Sequence, residues 1–280
     1  FYVPIYNRRV FSTFKTYGGE GGISSPSFQI DRLKGGREMS LIKYKFDDEV
    51  DLFPLADLHF GDALCNLADF RAFLSYIKEK DNRFIICAGD LINNNLLSSV
   101  GSPFDDTIKP GDQRRKIRKE LQTVKDRILV MTGGNHEYRT KKTADIDITE
   151  EIADFLEVPY SEDTAVLKLT VRDIDYFICV VHGSTGGRRP GANLNNIELL
   201  SLNYQADIYI IGHSHKLMAH KAVTFRPEGD DLKEVVKLYC NTGGWLNYGG
   251  YARRRHYRPQ ARGCIQINLS AEKKDFKAII

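Results

Sequence analysis

The chain has 280 residues, of which 42% are hydrophobic and 28% charged, and its formal net charge is +3. This length and apolar content suit one large domain with a sizeable core, and the small net charge does not by itself indicate a nucleic-acid partner. No stretch approaches the roughly 18 consecutive apolar residues of a membrane-spanning helix, and no signal-peptide pattern is found, so we expect no membrane partner.

The cysteines are odd in number and scattered, and they show no C-x-x-C spacing. Most of them lie inside apolar runs, which is typical of reduced thiols in a protein core. We therefore expect an intracellular, cytoplasmic protein without disulfides. The five cysteines are Cys65, Cys87, Cys179, Cys240 and Cys264.

Residues 1–38 are rich in Gly, Ser and Arg and lack a clear periodicity, and Met39 is the first methionine. We interpret this segment as an N-terminal extension, either flexible or packed on the core, and residues 39–280 as one domain. Short apolar runs then alternate with amphipathic segments: strands at 50–57, 83–90 and 127–134, and helices at 67–80, 110–125 and 149–159.

Consecutive strands follow this alternating part of the chain. They are predicted at 165–171, 174–182, 206–213, 220–225, 234–240 and 263–269. Alternating strands and helices that give way to a run of strands predict an α/β domain whose second half is mostly β.

Five polar clusters stand where apolar strands stop: DLH at 57–59, GD at 89–90, GNHE at 134–137, HG at 182–183 and GHSH at 212–215. Five of the seven histidines fall in these clusters. Because ligands bind outside the carboxyl ends of the strands in open α/β sheets, we expect the five loops to meet at one cleft.

The spacing within the clusters suggests metal ligands. Residues i and i+2 of an extended segment project to the same side, so Asp57 and His59 can address one site, and His213 and His215 can do likewise. The clusters offer about seven oxygen or nitrogen ligands, which is too many for one tetrahedral zinc and suits two ions with a shared ligand. Without cysteine ligands, the set favours Mn²⁺, with Fe or Zn²⁺ as alternatives.

The ordered set DLH, GD, GNHE, HG and GHSH resembles the calcineurin-like metallophosphoesterases over residues 57–215. The resemblance implies a four-layer αββα sandwich, in which two mixed β-sheets are flanked by helices. It also implies hydrolysis of phosphoesters by metal-activated hydroxide. The implied metal ligands are Asp57, His59 and His215 for one ion, Asn135, His182 and His213 for the other, and Asp90 bridging both.

The remaining residues of GNHE receive separate roles from the same resemblance. His136 would be the general acid near the leaving group, acting beside the catalytic bridge Asp90, and Asn135 would also contact substrate. Glu137 either orients a neighbouring group or caps and pairs at the surface. The asparagines after GD either touch substrate or form a turn.

Two features indicate which branch of the family the chain resembles. GD is followed by LINNN, without the arginine of Ser/Thr protein phosphatases, and GHSH carries a second histidine that those phosphatases lack. Both argue against a protein phosphatase, and the GHSH ending resembles the phosphodiesterase and DNA-repair exonuclease branches.

Basic residues near the motifs favour an anionic polymer as substrate. Arg139 and Arg188 follow two of the clusters, and Arg253, Arg254 and Arg255 lie among tyrosines in a glycine-flanked segment that could cover the cleft. We predict that these arginines bind DNA or RNA, unless the segment is only a solvated loop. The alternatives are a small-nucleotide phosphodiesterase or phosphomonoesterase and, less favoured, a protein phosphatase or a non-catalytic binding module. The oligomeric state is left open.

Overall fold

The computed structural model describes residues 28–32, 40–184, 187 and 189–280. Its strands are β1 Phe28–Arg32, β2 Ser40–Phe46, β3 Val50–Leu55, β4 Arg83–Ala88, β5 Ile128–Thr132, β6 Tyr160–Ser161, β7 Thr164–Val171, β8 Ile174–Val181, β9 Ile208–Ile211, β10 Leu217–Glu228, β11 Asp231–Thr242, β12 Gln266–Leu269 and β13 Phe276–Ile279. Its α-helices are α1 Leu67–Lys78, α2 Pro110–Gln122, α3 Asn135–Ala144, α4 Ile148–Leu156, α5 Pro190–Asn203 and α6 Gly250–Arg254.

Two mixed sheets face each other. One has the strand order β1-β2-β7-β8-β9-β11-β10, and the other has the order β13-β12-β3-β4-β5-β6. The core between them includes Leu52, Ile86, Leu167 and Ile178. Strands β3, β4 and β5 run parallel, as do β8 and β9, so their carboxyl ends point the same way within each sheet.

Helices cover the outer face of each sheet. Phe70 of α1, Ile117 of α2 and Ile152 of α4 pack in a second core cluster against the six-stranded sheet. Ile197 of α5 packs with Tyr209 of β9 in a third cluster, on the seven-stranded sheet. Every residue of β3 and β4 is buried, as expected for parallel strands covered on both faces. The four-layer αββα sandwich implied by the resemblance is confirmed.

The predicted elements are found within a few residues of their expected positions, and the differences have local causes. The strands at 220–225 and 234–240 are parts of a longer hairpin, β10–β11. Helix α3 was missed because its first turn carries the GNHE cluster, which resembles a loop. Helix α5 was missed because its sequence, PGANLNNIELLSLN, shows only weak amphipathic periodicity. Strand β1, inside the segment interpreted as an extension, pairs antiparallel with β2.

Two further features of the described residues concern the cysteines and the helices. All five cysteines are unpaired, and Cys87, Cys179 and Cys240 are buried. Among the helices of the described ranges, none is long and apolar enough to cross a membrane.

Candidate metal centre

The polar clusters lie at the carboxyl ends of parallel strands. Asp57 and His59 come after β3, Asp90 after β4, His182 after β8, and the GHSH loop at 212–215 after β9. After β5 the chain turns at two glycines and enters α3, whose first residues are Asn135 and His136. The loops therefore come from both sheets and converge on one edge of the sandwich, as the sequence predicts.

One group of potential ligands consists of Asp57, His59 and His215, whose ligand atoms lie within 4.8 Å of one another. The Nε2 atoms of His59 and His215 are 3.2 Å apart. His215 Nε2 lies 3.5 Å from Asp57 Oδ1. The three ligand atoms therefore lie close enough together to bind one ion.

A second group consists of Asp90, His182 and His213. Asn135 completes it, because its Oδ1 lies 3.0 Å from His182 Nε2 and 2.8 Å from His213 Nδ1. His182 Nε2 is also 3.2 Å from Asp90 Oδ2. The amide oxygen of Asn135 and the carboxylate of Asp90 therefore approach the same imidazole nitrogen.

Asp90, a member of the second group, also lies close to the first. Its Oδ2 is 3.2 Å from His182 Nε2 and 3.8 Å from His59 Nε2. Its Oδ1 accepts a hydrogen bond of 2.8 Å from the backbone N–H of His136, in the first turn of α3. A helix N-terminus favours a carboxylate there, so Asp90 is held in its ionised form and directed at both groups.

Five of the candidate ligands have left-handed backbone conformations, which are uncommon for residues other than glycine. Their φ angles are 52° at Asp57, 48° at His59, 52° at Asp90, 67° at His213 and 56° at His215. The extended geometry assumed in the spacing argument is therefore wrong. His213 and His215 belong to different groups, whereas Asp57 and His59, which are also left-handed, share one.

Two glycines let the loops pack closely. A Cβ on Gly89, which has a φ of 84°, would lie 2.7 Å from both Gly134 Cα and His182 Nδ1. A Cβ on Gly134 would overlap the backbone nitrogen of Asp90. Any side chain at either position would push apart the loops that carry Asp90, Asn135 and His182.

The carboxylates of the centre fit a cation. Asp57 is 0% exposed, and neither of its oxygens has a hydrogen-bond partner among the described residues. Burial raises its pKa well above the usual range, an effect that His182 only partly offsets. A buried, unpaired carboxylate costs several kcal/mol unless an ion pairs with it, so Asp57 favours a bound metal.

Three of the four ligand imidazoles are held in the neutral form that binds metal. Burial lowers the pKa of His215 to about 4, and it lowers the pKa of His59 and His213 as well, which keeps these rings neutral near pH 7. Burial would lower the pKa of His182 too, but Asp90 raises it to about 10. His182 Nδ1 lies 2.8 Å from the Ala88 carbonyl oxygen, which orients Nε2 towards the centre.

His136 is held in one tautomer by its two partners. Its Nδ1 lies 2.5 Å from the Asn93 carbonyl oxygen, and its Nε2 lies 2.9 Å from Nη2 of Arg139. A carbonyl oxygen only accepts and a guanidinium only donates, so in the neutral ring Nδ1 carries the proton. Burial lowers the pKa of His136, and Arg139 lowers it further against the opposing effect of Asp90.

Glu137 is 2% exposed, so the surface alternative for it is wrong. Its Oε2 accepts from the backbone N–H of Asp90 and its Oε1 from that of Ile92, each at 3.0 Å. Burial, with Asp90 nearby, raises its pKa to about 7. Glu137 therefore holds the loop that carries Asp90.

The asparagines after GD form a buried support that sequence reasoning did not find. Asn94 Nδ2 donates to the His136 carbonyl oxygen at 2.6 Å and to Thr140 Oγ1 at 2.9 Å, and Asn94 N–H donates to Gln113 Oε1 at 2.8 Å. The φ of Asn94 is 45°. The run of three polar residues inside an otherwise apolar stretch was the one available signal.

The predicted substrate arginines lie in different settings. The guanidinium of Arg139 contacts acceptors within the protein, and Arg188 lies outside the described residues. Arg253, Arg254 and Arg255 are exposed, on α6 and just after it.

The segment 244–263 carries these exposed arginines and is rooted beside the centre. Its ends meet where Gly263 N–H donates to the Gly244 carbonyl oxygen at 2.9 Å. Trp245 N–H donates to the Asp57 carbonyl oxygen at 3.2 Å. Gly244 packs on the His215 ring, since a Cβ there would lie 3.1 Å from Nδ1. The root of the arginine segment therefore contacts two of the candidate metal ligands.

Comparison with models of protein families shows a match to one family. The model of the family described as calcineurin-like phosphoesterase matches residues 55–217, which is more than half of the chain. No curated protein matches the chain.

Several solved structures are similar to the chain at low identity. Vps29 of Entamoeba histolytica complexed with Zn²⁺ is 14% identical with a TM-score of 0.39, over 82% of this chain and 97% of that one. Nuclease MPE of Pseudomonas putida is 13% identical with a TM-score of 0.34, over 90% of this chain and 100% of that one. NAD nucleotidase of Haemophilus influenzae is 12% identical with a TM-score of 0.42, over 83% of this chain and 49% of that one.

Proposed function

Because the chain belongs to the calcineurin-like phosphoesterase family, we propose that it is a dimetal hydrolase that cleaves phosphodiester bonds, with nucleic acid as its substrate. The observation that carries this proposal is the pair of ligand groups on either side of Asp90. A carboxylate that reaches both groups suits two ions sharing one ligand. Neither group includes a cysteine.

The proposed ligands of one ion are Asp57, His59 and His215, and those of the other are Asn135, His182 and His213, with Asp90 between them. Mixed carboxylate, imidazole and amide donors favour Mn²⁺, with Fe or Zn²⁺ as alternatives. When bound, two such ions would lower the pKa of a water and neutralise charge on the phosphoryl oxygens.

His136 is the proposed general acid. Its Nδ1 is bonded to Asn93, so Nε2, which lies 3.8 Å from Asp90 Oδ2, is the nitrogen that can give a proton to the leaving oxygen. In the neutral ring Nε2 accepts from Arg139, so Arg139 must release this nitrogen before it takes up that proton. Burial and Arg139 both disfavour the protonated ring. The negative charge of a bound phosphoester opposes both effects, so substrate binding favours the acid form.

Nucleic acid is favoured by the charge of the segment 244–263. It contains five arginines and no acidic residue, together with the exposed tyrosines Tyr248, Tyr251 and Tyr257. Arginine and aromatic side chains together bind phosphates and stacked bases. One of the five, Arg262, is already engaged with Asp69 and Asn247. We propose that Arg253, Arg254 and Arg255 contact the polymer, while the exposed Asn135 contacts the scissile phosphate.

A substrate panel with Mn²⁺ tests this function. The panel contains linear and circular DNA, RNA, cyclic nucleotides, a phosphopeptide and a chromogenic phosphodiester, with Asp90→Ala as the inactive control. We expect cleavage of DNA or RNA that weakens steeply with salt, since binding through many phosphates releases many counterions. Salt-insensitive cleavage of cyclic nucleotides alone would favour the small-nucleotide alternative. Equal activity in Asp90→Ala would refute dimetal catalysis.

A further inference from the structure

The guanidinium of Arg139 is fully directed inward. Its Nη1 lies 2.9 Å from Asn95 Oδ1 and 3.1 Å from the Asn93 carbonyl oxygen, with the Asn94 carbonyl oxygen at 3.4 Å. Its Nη2 lies 2.9 Å from His136 Nε2. The planar fork therefore joins the loop 93–95 to the imidazole, and both of its terminal nitrogens have protein acceptors.

The loop 93–95, which Arg139 contacts, is held on its far side by Asp106. One oxygen of that carboxylate accepts from the side-chain amides of Asn93 and Asn95, at 2.7 and 2.8 Å. The other accepts from Gln113 Nε2 at 2.7 Å. Three amide donors on one carboxylate hold Asn93 and Asn95 in place, so Arg139 is bonded to a fixed frame.

His136 is clamped between this frame and Arg139. Asn93 supplies the acceptor for Nδ1, and it also accepts from Arg139. Without Arg139, the ring would keep the Asn93 bond on one side only and could rotate about it. Nε2 would then no longer be fixed relative to Asp90, which is 3.8 Å away.

We propose that Arg139 is a positioning residue that orients the neutral His136 ring, before Nε2 takes up its proton, and ties it to the loop 93–95, rather than a direct substrate ligand. This inference rests on the proposed function, in which His136 acts on the leaving group. This positioning role requires the planar shape of the guanidinium. A lysine ammonium carries the same charge but is a single point, and it cannot reach both Asn95 Oδ1 and His136 Nε2 in a fixed plane.

Steady-state kinetics on a chromogenic phosphodiester separate positioning from substrate binding. We expect Arg139→Ala to lower kcat about 10- to 100-fold, the loss typical of a misplaced catalytic group, while KM changes little. Arg139→Lys should recover little of this loss. Asn95→Ala, which removes one acceptor of the fork, should lower kcat in the same direction, and its effect should not add to that of Arg139→Ala. Arg115→Ala is the matched control, because Arg115 is an exposed arginine on α2 paired with Asp112.

A rise in KM with unchanged kcat in Arg139→Ala, rescued by lysine, would overturn the proposal in favour of direct substrate binding. A second measurement does not depend on activity. Nitrogen-15 NMR of the histidine rings of the full chain at pH 8, without added metal, should show His136 with its proton on Nδ1.

In Arg139→Ala the Nε2 signal of His136 should shift, because that nitrogen loses the hydrogen bond from the guanidinium, whereas Arg115→Ala should leave the spectrum unchanged. An unaltered His136 signal in Arg139→Ala would refute the positioning role even if the protein proved to have no phosphoesterase activity. Conversely, an altered signal in a protein inactive on every substrate would support the clamp and refute only the proposed function.

Discussion

Replacing Asp57 by asparagine should stabilise the metal-free protein and weaken its response to metal. Both Asp57 oxygens are buried without hydrogen-bond partners among the described residues, and burial raises the pKa of this carboxyl well above its usual range. A carboxyl with a raised folded-state pKa destabilises the fold at all pH values above that pKa. The penalty disappears as the pH falls towards the pKa of the unfolded chain.

The size of the stability change follows from comparing the cost of a buried carboxylate with that of a buried amide, each without a hydrogen-bond partner. A buried neutral amide without a partner costs about 1–3 kcal/mol, and a charged group costs more. The asparagine amide can also donate to His215 Nε2, which lies 3.5 Å from Asp57 Oδ1. We expect a net gain of roughly 2 kcal/mol at pH 8 without metal, or about 4–8 °C in Tm for a domain of this size.

Added metal should make the wild-type protein more stable than Asp57→Asn, the reverse of their order without metal. Free Mn²⁺ at 100 times its Kd stabilises the wild-type protein by about 2.7 kcal/mol for each site that only the folded state binds. Asp57→Asn loses most of this gain at the site formed with His59 and His215 and keeps it at the other site. The two proteins should therefore exchange rank in Tm as Mn²⁺ is added.

Thermal denaturation in EDTA and in a Mn²⁺ series, at pH 5 and pH 8, measures these effects. The stability advantage of Asp57→Asn in EDTA should be smaller at pH 5 than at pH 8. Asp48→Asn, an exposed carboxylate paired with Arg172, serves as the control and should show no exchange of rank. If Asp57→Asn is less stable than wild type in EDTA at pH 8, Asp57 is a structural residue and the reasoning fails.

Three further predictions concern the arginine segment and the two residues after Asn135. The triple replacement of Arg253, Arg254 and Arg255 by alanine should reduce the slope of log affinity for DNA or RNA against log salt by about 2–3, since each phosphate contact contributes about 0.7–0.9. An equal loss of activity on nucleic acid and on a small chromogenic diester would argue against a nucleic-acid role. His136→Ala should lower turnover about 10²- to 10⁴-fold with both metals retained, as measured by metal analysis, and loss of metal would identify it as a ligand. Glu137→Gln should weaken metal binding without touching a ligand, because the amide nitrogen cannot accept a backbone N–H; unchanged Mn²⁺ affinity in a titration would contradict this.

The sequence was informative where the chemistry is local. Each polar cluster directly follows an apolar strand, so the convergence of Asp57, Asp90 and His182 on one sheet edge could be predicted without any knowledge of long-range contacts. The sandwich was implied only by the family resemblance, whereas the α/β class with a mostly β second half could be expected for a similar reason, since the change from alternating elements to consecutive strands is visible along the chain. The same holds for the glycines that precede Asp90 and Asn135.

The sequence was least informative where a residue's role depends on a distant partner. Nothing near Glu137 indicates that its carboxylate meets the backbone of residues 90 and 92. Asn93 and Asn95 resemble turn residues until Asp106 and Gln113 are placed beside them. Arg139 is read as a substrate arginine for the same reason, because only the fold reveals the acceptors around it.

The left-handed ligands explain why the spacing argument failed and how the centre is maintained. A strained backbone position costs about 1–3 kcal/mol, so five of them cost an amount comparable to the whole stability of a domain. The loops after β3 and β4 keep these conformations because they remain hydrogen-bonded to each other beyond the ends of the strands. Asp57 N–H donates to the Gly89 carbonyl oxygen, and His59 N–H donates to that of Asp90.

The register of the parallel sheet therefore continues into the centre, although its residues are no longer extended. This continuation fixes the direction of each ligand before any ion arrives. It follows that changes at Gly89 or Gly134, which allow the loops to approach, should damage metal binding as severely as the loss of a ligand. The buried Asp57 carboxylate makes a separate unfavourable contribution in the metal-free protein, which a bound cation can offset and which Asp57→Asn is expected to expose.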